Sequence, residues 1–198
     1  MKHFFASQRL VARRFAPLDL DDFVAMRAEP EVARFQSWDS FSEDDGRAFL
    51  EANARRNPGE PGWFQFALER TEDRKLVGDC GLRTFETDNR LAQIGYTIAR
   101  QFWRQGYAQE AVRSLIDYAF GNFPVHRIIA SVDPRNAASV GVLEKTGFVK
   151  EAHFRQSEWF KGAWADDAIY AVLSTDARVP AGRTNGTPVA GDPSLRSG

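Results

Sequence analysis

The stretch Phe102–Trp103–Arg104–Gln105–Gly106–Tyr107–Ala108–Gln109–Glu110–Ala111 joins two different hydrophobic periods. Before it, Ala92–Gln93–Ile94–Gly95–Tyr96–Thr97–Ile98–Ala99 reads as a strand. After it, Ala108, Ala111, Val112, Leu115, Ile116 and Ala119 recur on one face of a helix. A glycine-containing turn therefore feeds a helix N-terminus. The first backbone N–H groups of a helix have no partner inside it, and the helix dipole adds partial positive charge there. Together they form a site for a phosphate or pyrophosphate. Gly106 lets a ligand approach the main chain, and Arg104 adds a cation.

Downstream, Gly121 to Pro124 turn the chain into His126–Arg127–Ile128–Ile129–Ala130–Ser131–Val132, a strand without clean alternation, as suits one buried on both faces. Strand, helix, strand at this spacing is a βαβ unit with parallel strands. Asn136 to about Thr146 reads as a helix, with Gly147 as its C′ residue. Phe148 to Trp159 and Ala163 to Leu173 form a terminal hairpin around Lys161–Gly162.

Upstream, Trp63–Glu69 and Lys75–Leu82 pair as a hairpin across the polar turn Thr71–Arg74. Ser42 opens a helix with a capping box closed by Asp45. Asp19 is the expected N-cap of an earlier helix through Phe23, Val24 and Met26. Arg9–Phe15 is the expected first strand. From Thr175 onward Pro and Gly dominate without apolar periodicity, so 1–174 reads as one domain and 175–198 as a disordered tail.

The chain has 198 residues, 43% hydrophobic and 27% charged, which suffices for one real core. A net charge of −1 offers no basic field for nucleic acid or an anionic membrane. No apolar run reaches membrane-spanning length, and the apolar start is too short for a signal peptide. One cysteine, Cys80, excludes an intrachain disulfide, and His3, His126 and His153 lack ligand spacing, so no metal is expected. A cytoplasmic protein is the natural reading.

A second motif, Asp133–Pro134–Arg135–Asn136–Ala137–Ala138–Ser139, places Asn136 and Ser139 on one helix face. Both can bond a ligand lying alongside, and Asn136 also suits an N-cap. With Ile94–Gly95–Tyr96, Trp103–Ala108 followed by Glu110–Ala111, and Leu143–Glu144–Lys145–Thr146–Gly147–Phe148, the chain resembles the GNAT acetyltransferases over residues 7 to 173. More narrowly it resembles the ribosomal-protein N-terminal acetyltransferase branch.

The resemblance implies an α/β (α+β) GNAT fold. Its central sheet is mixed and mostly antiparallel, with one parallel strand pair splaying at a bulge and helices flanking it. Acetyl-CoA is the implied cosubstrate, lying in the V between those strands. Thr97 and Ile98 would pair with its pantetheine arm. Backbone N–H groups of Arg104, Gln105, Gly106, Tyr107 and Ala108 would hold the pyrophosphate. Asn136 would bond the pantetheine, and Ser139 would protonate the leaving thiolate. The Ile98 N–H would polarise the thioester carbonyl. The implied reaction is direct attack by a primary amine, on a protein N-terminus or a small molecule. The implied oligomeric state is monomer or homodimer.

Two positions depart from the family. Gln93 stands where many members have Glu, and Gln cannot take a proton from the amine. Glu86, Asp88, Glu158, Asp166 and Asp167 remain as candidate bases, beside a water chain. Gln93 also motivates an alternative, a non-catalytic acyl-CoA-binding module. Arg104 occupies a turn position where Gly is frequent; the position should supply backbone, so Arg is tolerated there with an ordinary φ. Phe35 and Trp38 are candidates for the acceptor pocket and equally for core packing, and Trp159 could shape the same pocket or a dimer contact, with packing favoured. Cys80 reads as a small core residue.

Overall fold

The computed structural model describes residues 3–176. The expected tail lies outside that range from residue 177 onward. Eight strands and five helices run in the order β1 (His3–Ala6), β2 (Leu10–Arg13), α1 (Leu20–Ala28), α2 (Pro30–Ala33), α3 (Glu43–Ala54), β3 (Gly62–Arg70), β4 (Leu76–Thr84), β5 (Leu91–Ile98), α4 (Tyr107–Asn122), β6 (Arg127–Val132), α5 (Ala137–Lys145), β7 (Val149–Phe160) and β8 (Ala163–Leu173). Short 3-10 turns precede α1 and α4. No helix among the described residues is long and apolar enough to cross a membrane.

One sheet carries all eight strands in the order β1-β2-β3-β4-β5-β6-β8-β7. Every neighbouring pair is antiparallel except β5 and β6. That parallel pair holds register only at Leu91–Arg127, Ala92–Ile128 and Gln93–Ile129. Beyond Gln93 the two strands part, although β5 runs on to Ile98 and β6 to Val132. The bulge expected at this point is absent from β5, which stays in unbroken register with β4 from Ala92 to Ile98. The cleft thus opens because β6 leaves β5, while β4 still holds β5 straight.

The helices form two layers. On one face, α4 covers β1, β2, β4 and β5, and α5 packs beside it against β6 and β7. α4 buries Ala111, Val112, Leu115, Ile116 and Ala119 of the expected stripe, together with Tyr107 and Phe120, while Ala108 is half-buried. Burying a side chain the size of Val112, Leu115, Ile116 or Phe120 contributes ~1.5–3 kcal/mol. On the other face α1 packs on β4 with α3 beside it. Phe23, Phe64, Phe66, Val77, Leu115 and Ile128 are among the fully buried side chains between the layers.

Two expectations change here. β1 extends the sheet beyond the first expected strand. His3–Phe4–Phe5–Ala6 has no alternation, and what holds it is ring packing of Phe4 and Phe5 against Phe64, Phe66 and Tyr118. Asp19 does not cap α1 with its side chain. Its oxygens instead take the Ala16 N–H at 2.7 Å and the guanidinium of Arg13 at 2.7 and 2.8 Å. Arg13 is 1% exposed, and a buried cation needs its counter-charges more than a helix end needs a cap. Ser42 behaves as read: its Oγ accepts the Asp45 N–H, and Asp45 returns a bond to the Ser42 N–H.

Candidate active site

A cleft of about 890 Å³ follows the splay between β5 and β6. Its walls include Ile94 to Ile98 of β5, Ala130 to Asp133 at the end of β6, and Asn136, Ala137, Ala138 and Ser139 at the start of α5. One end is lined by Arg104, Gly106, Tyr107, Ala108 and Gln109, and the α2 region adds Glu31, Val32, Arg34, Phe35 and Gln36.

Backbone direction along β5 decides which groups reach the cleft. The Ala99 N–H donates to the Val77 carbonyl at 2.9 Å, and Gly78 stands opposite Ile98. Alternation then turns the N–H and C=O of Thr97 toward β4, and those of Tyr96 and Ile98 toward the gap left by β6. Thr97 lies on the wall, but its main chain is occupied by the sheet; the main-chain groups free to pair with a ligand belong to Tyr96 and Ile98. The Ile98 carbonyl already accepts a 2.7 Å bond from the Trp103 indole Nε1, and its N–H stays open to the cleft.

The turn expected to hold an anion lies at one end of the cleft, at the start of α4. Gly106 is the N-cap of α4 at φ 85, a left-handed conformation that glycine adopts without steric cost. Its carbonyl accepts the Glu110 N–H at 3.0 Å, leaving the N–H groups of Tyr107, Ala108 and Gln109 to face the ligand end. Arg104 does not keep an ordinary φ: it sits at φ 61, in the left-handed region. Gln105 is off the cleft wall. Its carbonyl accepts from Arg9 Nη1 at 3.0 Å and its side-chain amide donates back to the Gln101 carbonyl at 2.9 Å, whereas Gln109 lines the cleft.

A network absent from the sequence reading braces this loop. The Arg9 guanidinium lies 4.4 Å from the Tyr107 ring centre and bonds Glu110 in the first turn of α4 at 2.7 Å. Glu110 also accepts from Ser7 Oγ at 2.6 Å and from the Arg9 N–H at 2.7 Å. Partial burial pushes the Glu110 carboxyl up, but these bonds outweigh it and hold it below its usual range.

At the other wall Asn136 caps α5, its Oδ1 accepting the Ser139 N–H at 3.1 Å. Capping and cleft-lining turn out to be compatible, because the cap uses Oδ1 and leaves the Nδ2 donor without a partner among the described residues. Ser139 Oγ lies 2.7 Å from the Tyr96 hydroxyl, which is also 3.2 Å from the Ser139 carbonyl. Burial raises the Tyr96 phenol to about 12, against a smaller lowering by Ser139. No single local pattern marks this pair.

Of the acceptor-pocket candidates only Phe35 lines the cleft, with Arg34 stacked 5.0 Å from its ring. Trp38 is a packing residue: its indole donates to the Arg27 carbonyl at 2.9 Å and its ring lies 4.3 Å from the Arg27 guanidinium. Trp159 is 63% exposed on the outer strand β7, edge-on to Trp164 at 5.5 Å. Cys80 is buried, and desolvation pushes its thiol well up, which removes it as a nucleophile.

None of the five carboxylates singled out as bases lines the cleft. Asp88 is bound by Arg90 and lowered to about 2. Asp166 takes the Gln156 N–H and His153 Nε2, and both hold it low. Asp167 is one bond removed, accepting from the wall residue Ser131 at 2.6 Å. Glu86 and Glu158 are exposed away from it. The carboxylates on the wall are Glu31, paired with Arg100, and Asp133, whose bonds from Arg135 keep it below its usual value.

The family model for the acetyltransferase (GNAT) domain matches residues 9–149, and the chain belongs to that family. Among curated relatives it is 30% identical over 172 residues to the uncharacterized N-acetyltransferase p20 of Bacillus licheniformis, covering 86% of this chain and 96% of that one. Among solved structures it resembles a GNAT-family acetyltransferase from Bacillus anthracis, with 27% identity, a TM-score of 0.77, and 85% and 97% of the two chains covered. It also shares the fold of spermidine N-acetyltransferase from Vibrio cholerae, solved with CoA and spermine, at 21% identity and a TM-score of 0.74 over 84% of this chain and 96% of that one. The chain is accordingly an acetyltransferase of the N-acetyltransferase type.

Proposed function

We propose that acetyl-CoA lies in the β5–β6 cleft and that a primary amine attacks its thioester directly within a ternary complex. The observation that carries this is the parting of β5 and β6 beyond Gln93 between two complementary walls. One wall ends in the left-handed Gly106 turn and the open N–H groups of α4, which suit a pyrophosphate. The other presents the Asn136 amide and the Ser139 hydroxyl. The pantetheine arm takes the place of the strand missing beside Tyr96 and Ile98. The Ile98 N–H meets the oxygen that becomes negative as the amine adds. Ser139 gives its proton to the departing sulfur.

The acceptor must lose a proton before attack. The Gln93 amide is no base, Arg135 holds the Asp133 carboxyl low and Glu31 is paired with Arg100, so we assign the proton's removal to water. Acceptors enter past Glu31 and Phe35, either as protein N-termini or as small amines; the CoA and spermine bound to the Vibrio cholerae structure make polyamines a reasonable first choice.

Release of free thiol from acetyl-CoA tests this, across spermidine, N-terminal peptides and simple primary amines. Turnover with at least one amine, and loss of kcat in Ser139→Ala, are expected. Tight coenzyme binding with no turnover on any amine would replace the enzyme reading with that of an acyl-CoA-binding module. Failure to bind coenzyme A would refute both.

A further inference from the structure

We propose that Tyr96 is a positioning residue for Ser139, holding the serine hydroxyl so that its proton is directed into the cleft. The inference rests on the reading of Ser139 as donor to the sulfur and adds a residue that reading does not contain. The two side chains come from different walls, β5 and α5, and both line the cleft.

The geometry admits two hydrogen arrangements, and the working one has Tyr96 as donor to Ser139 Oγ. The phenol has one proton and two acceptors nearby, Ser139 Oγ at 2.7 Å and the Ser139 carbonyl at 3.2 Å. Either oxygen can donate in the 2.7 Å bond, which lies at the ~2.7–2.8 Å optimum. In the working arrangement the phenol donates to Oγ; in the alternative Oγ donates to the phenol while the phenol donates to the carbonyl. With Tyr96 donating to Oγ, the serine's own proton is the one left to point elsewhere, and the open direction is the cleft. The Asn136 bond to the Ser139 N–H fixes the backbone beneath it. Without the phenol, Oγ turns freely about χ1 and its proton can settle on the Asn136 carbonyl one turn back, as serines in helices do.

During collapse of the tetrahedral intermediate the C–S bond breaks and its electron pair goes to sulfur. The Oγ proton passes to that sulfur, giving the free thiol. Oγ regains a proton from the acceptor nitrogen, which loses one as the amide forms. Tyr96 keeps its own proton and donates to Oγ while negative charge passes through it. The raised phenol pKa serves this role, since the donor stays protonated throughout the working pH range.

The test is a double-mutant cycle on the full chain. Tyr96→Phe is expected to lower kcat by roughly 10- to 100-fold, with the acetyl-CoA KM held within about threefold. In a Ser139→Ala background the same change is expected to cost nothing further. Independent, multiplicative losses would overturn the inference, as would a Tyr96→Phe enzyme with unchanged kcat beside an impaired Ser139→Ala. Unchanged kcat in Ser139→Ala would overturn the serine's role and this inference together. Replacing Tyr96 with 3,5-difluorotyrosine keeps the ring in place but acidifies the phenol. An alkaline decline in kcat absent from wild type is then expected, and its absence would mean that Tyr96 only packs.

Discussion

Arg9 and Glu110 stand 101 residues apart in sequence and are joined by a 2.7 Å charge-assisted bond that fixes the entry of α4. The Arg9 side chain reaches on to the Gln105 carbonyl, so the loop carrying the open N–H groups hangs from this pair. Glu110→Gln keeps the shape and removes the charge, and is expected to raise the dissociation constant for coenzyme A about tenfold, roughly 1.4 kcal/mol. The sign with pH follows from the lowered Glu110 pKa. Its contribution is present above the unfolded carboxylate value and disappears as pH falls through the lower folded value. Calorimetric titration with coenzyme A at pH 7, wild type against variant, measures it; equal affinities would show that the loop needs no brace.

Arg104 offers two effects of opposite sign. Its φ of 61 places a side-chain-bearing residue where glycine is favoured. Arg104→Gly is therefore expected to stabilise the fold by about 0.5–1 kcal/mol, after allowing for the greater freedom of glycine in the unfolded chain. The same change removes a cation from the cleft end and is expected to weaken coenzyme A about threefold, less so at high salt. Urea unfolding and binding at two ionic strengths separate the effects. A destabilised variant would mean that the Arg104 side chain makes a contact worth more than its backbone strain.

Much of this arrangement was legible in sequence because it is local. The α4 stripe, the Ser42–Asp45 box and the Gly147 cap each lie within a few residues of the groups they satisfy. Gly147 at φ 95 closes α5 with two bonds, its own N–H to Glu144 and that of Phe148 to Leu143, the pattern expected of glycine past a helix end. What stayed hidden depends on pairing across the fold. Tyr96 meets Ser139 only because β6 leaves β5 and α5 closes over the gap. Asp19 looks like a cap until Arg13 is buried beside it. Trp38 looks like a pocket wall until its indole finds the Arg27 carbonyl. Phe4 and Phe5 lack the alternation of a strand because the register shifts between His3 and Phe5, and ring contacts to Phe66 and Tyr118 hold them.

The Arg13 triad sets a stability expectation away from the cleft. Arg13 Nε bonds Glu69 at 2.6 Å while its two Nη atoms reach Asp19, and the hydrogen bonds to Asp19 lead in holding the guanidinium pKa above its ordinary value. Removing one partner of a buried pair leaves the other charge desolvated. Asp19→Ala is expected to cost about 3–5 kcal/mol. Replacing Arg13 with Met in the same variant should recover part of that loss, because a neutral side chain needs no counter-charge. Chemical denaturation of the single and double variants measures both, and additive losses would show that burial of the charge is not what costs stability.

Gln93 marks the last register pair before β5 and β6 part, and it stands opposite Arg83 of β4. With an amide there, deprotonation of the acceptor by water makes log kcat/KM rise with unit slope until the acceptor's own pKa is passed. Tyr96, held up at about 12, adds no break below that region. Two amines of different basicity should therefore show breaks displaced by the difference in their pKa values. Gln93→Glu places a carboxylate opposite Arg83, where opposite charges on directly facing residues favour the ionised form. A base lost only upon protonation at low pH is then expected, adding an acid limb and raising kcat/KM near neutrality by up to about tenfold. A wild-type break near neutrality that stays put with both amines would instead reveal an enzymatic base, and Glu31, the wall carboxylate paired with Arg100, would be the first to replace with Gln.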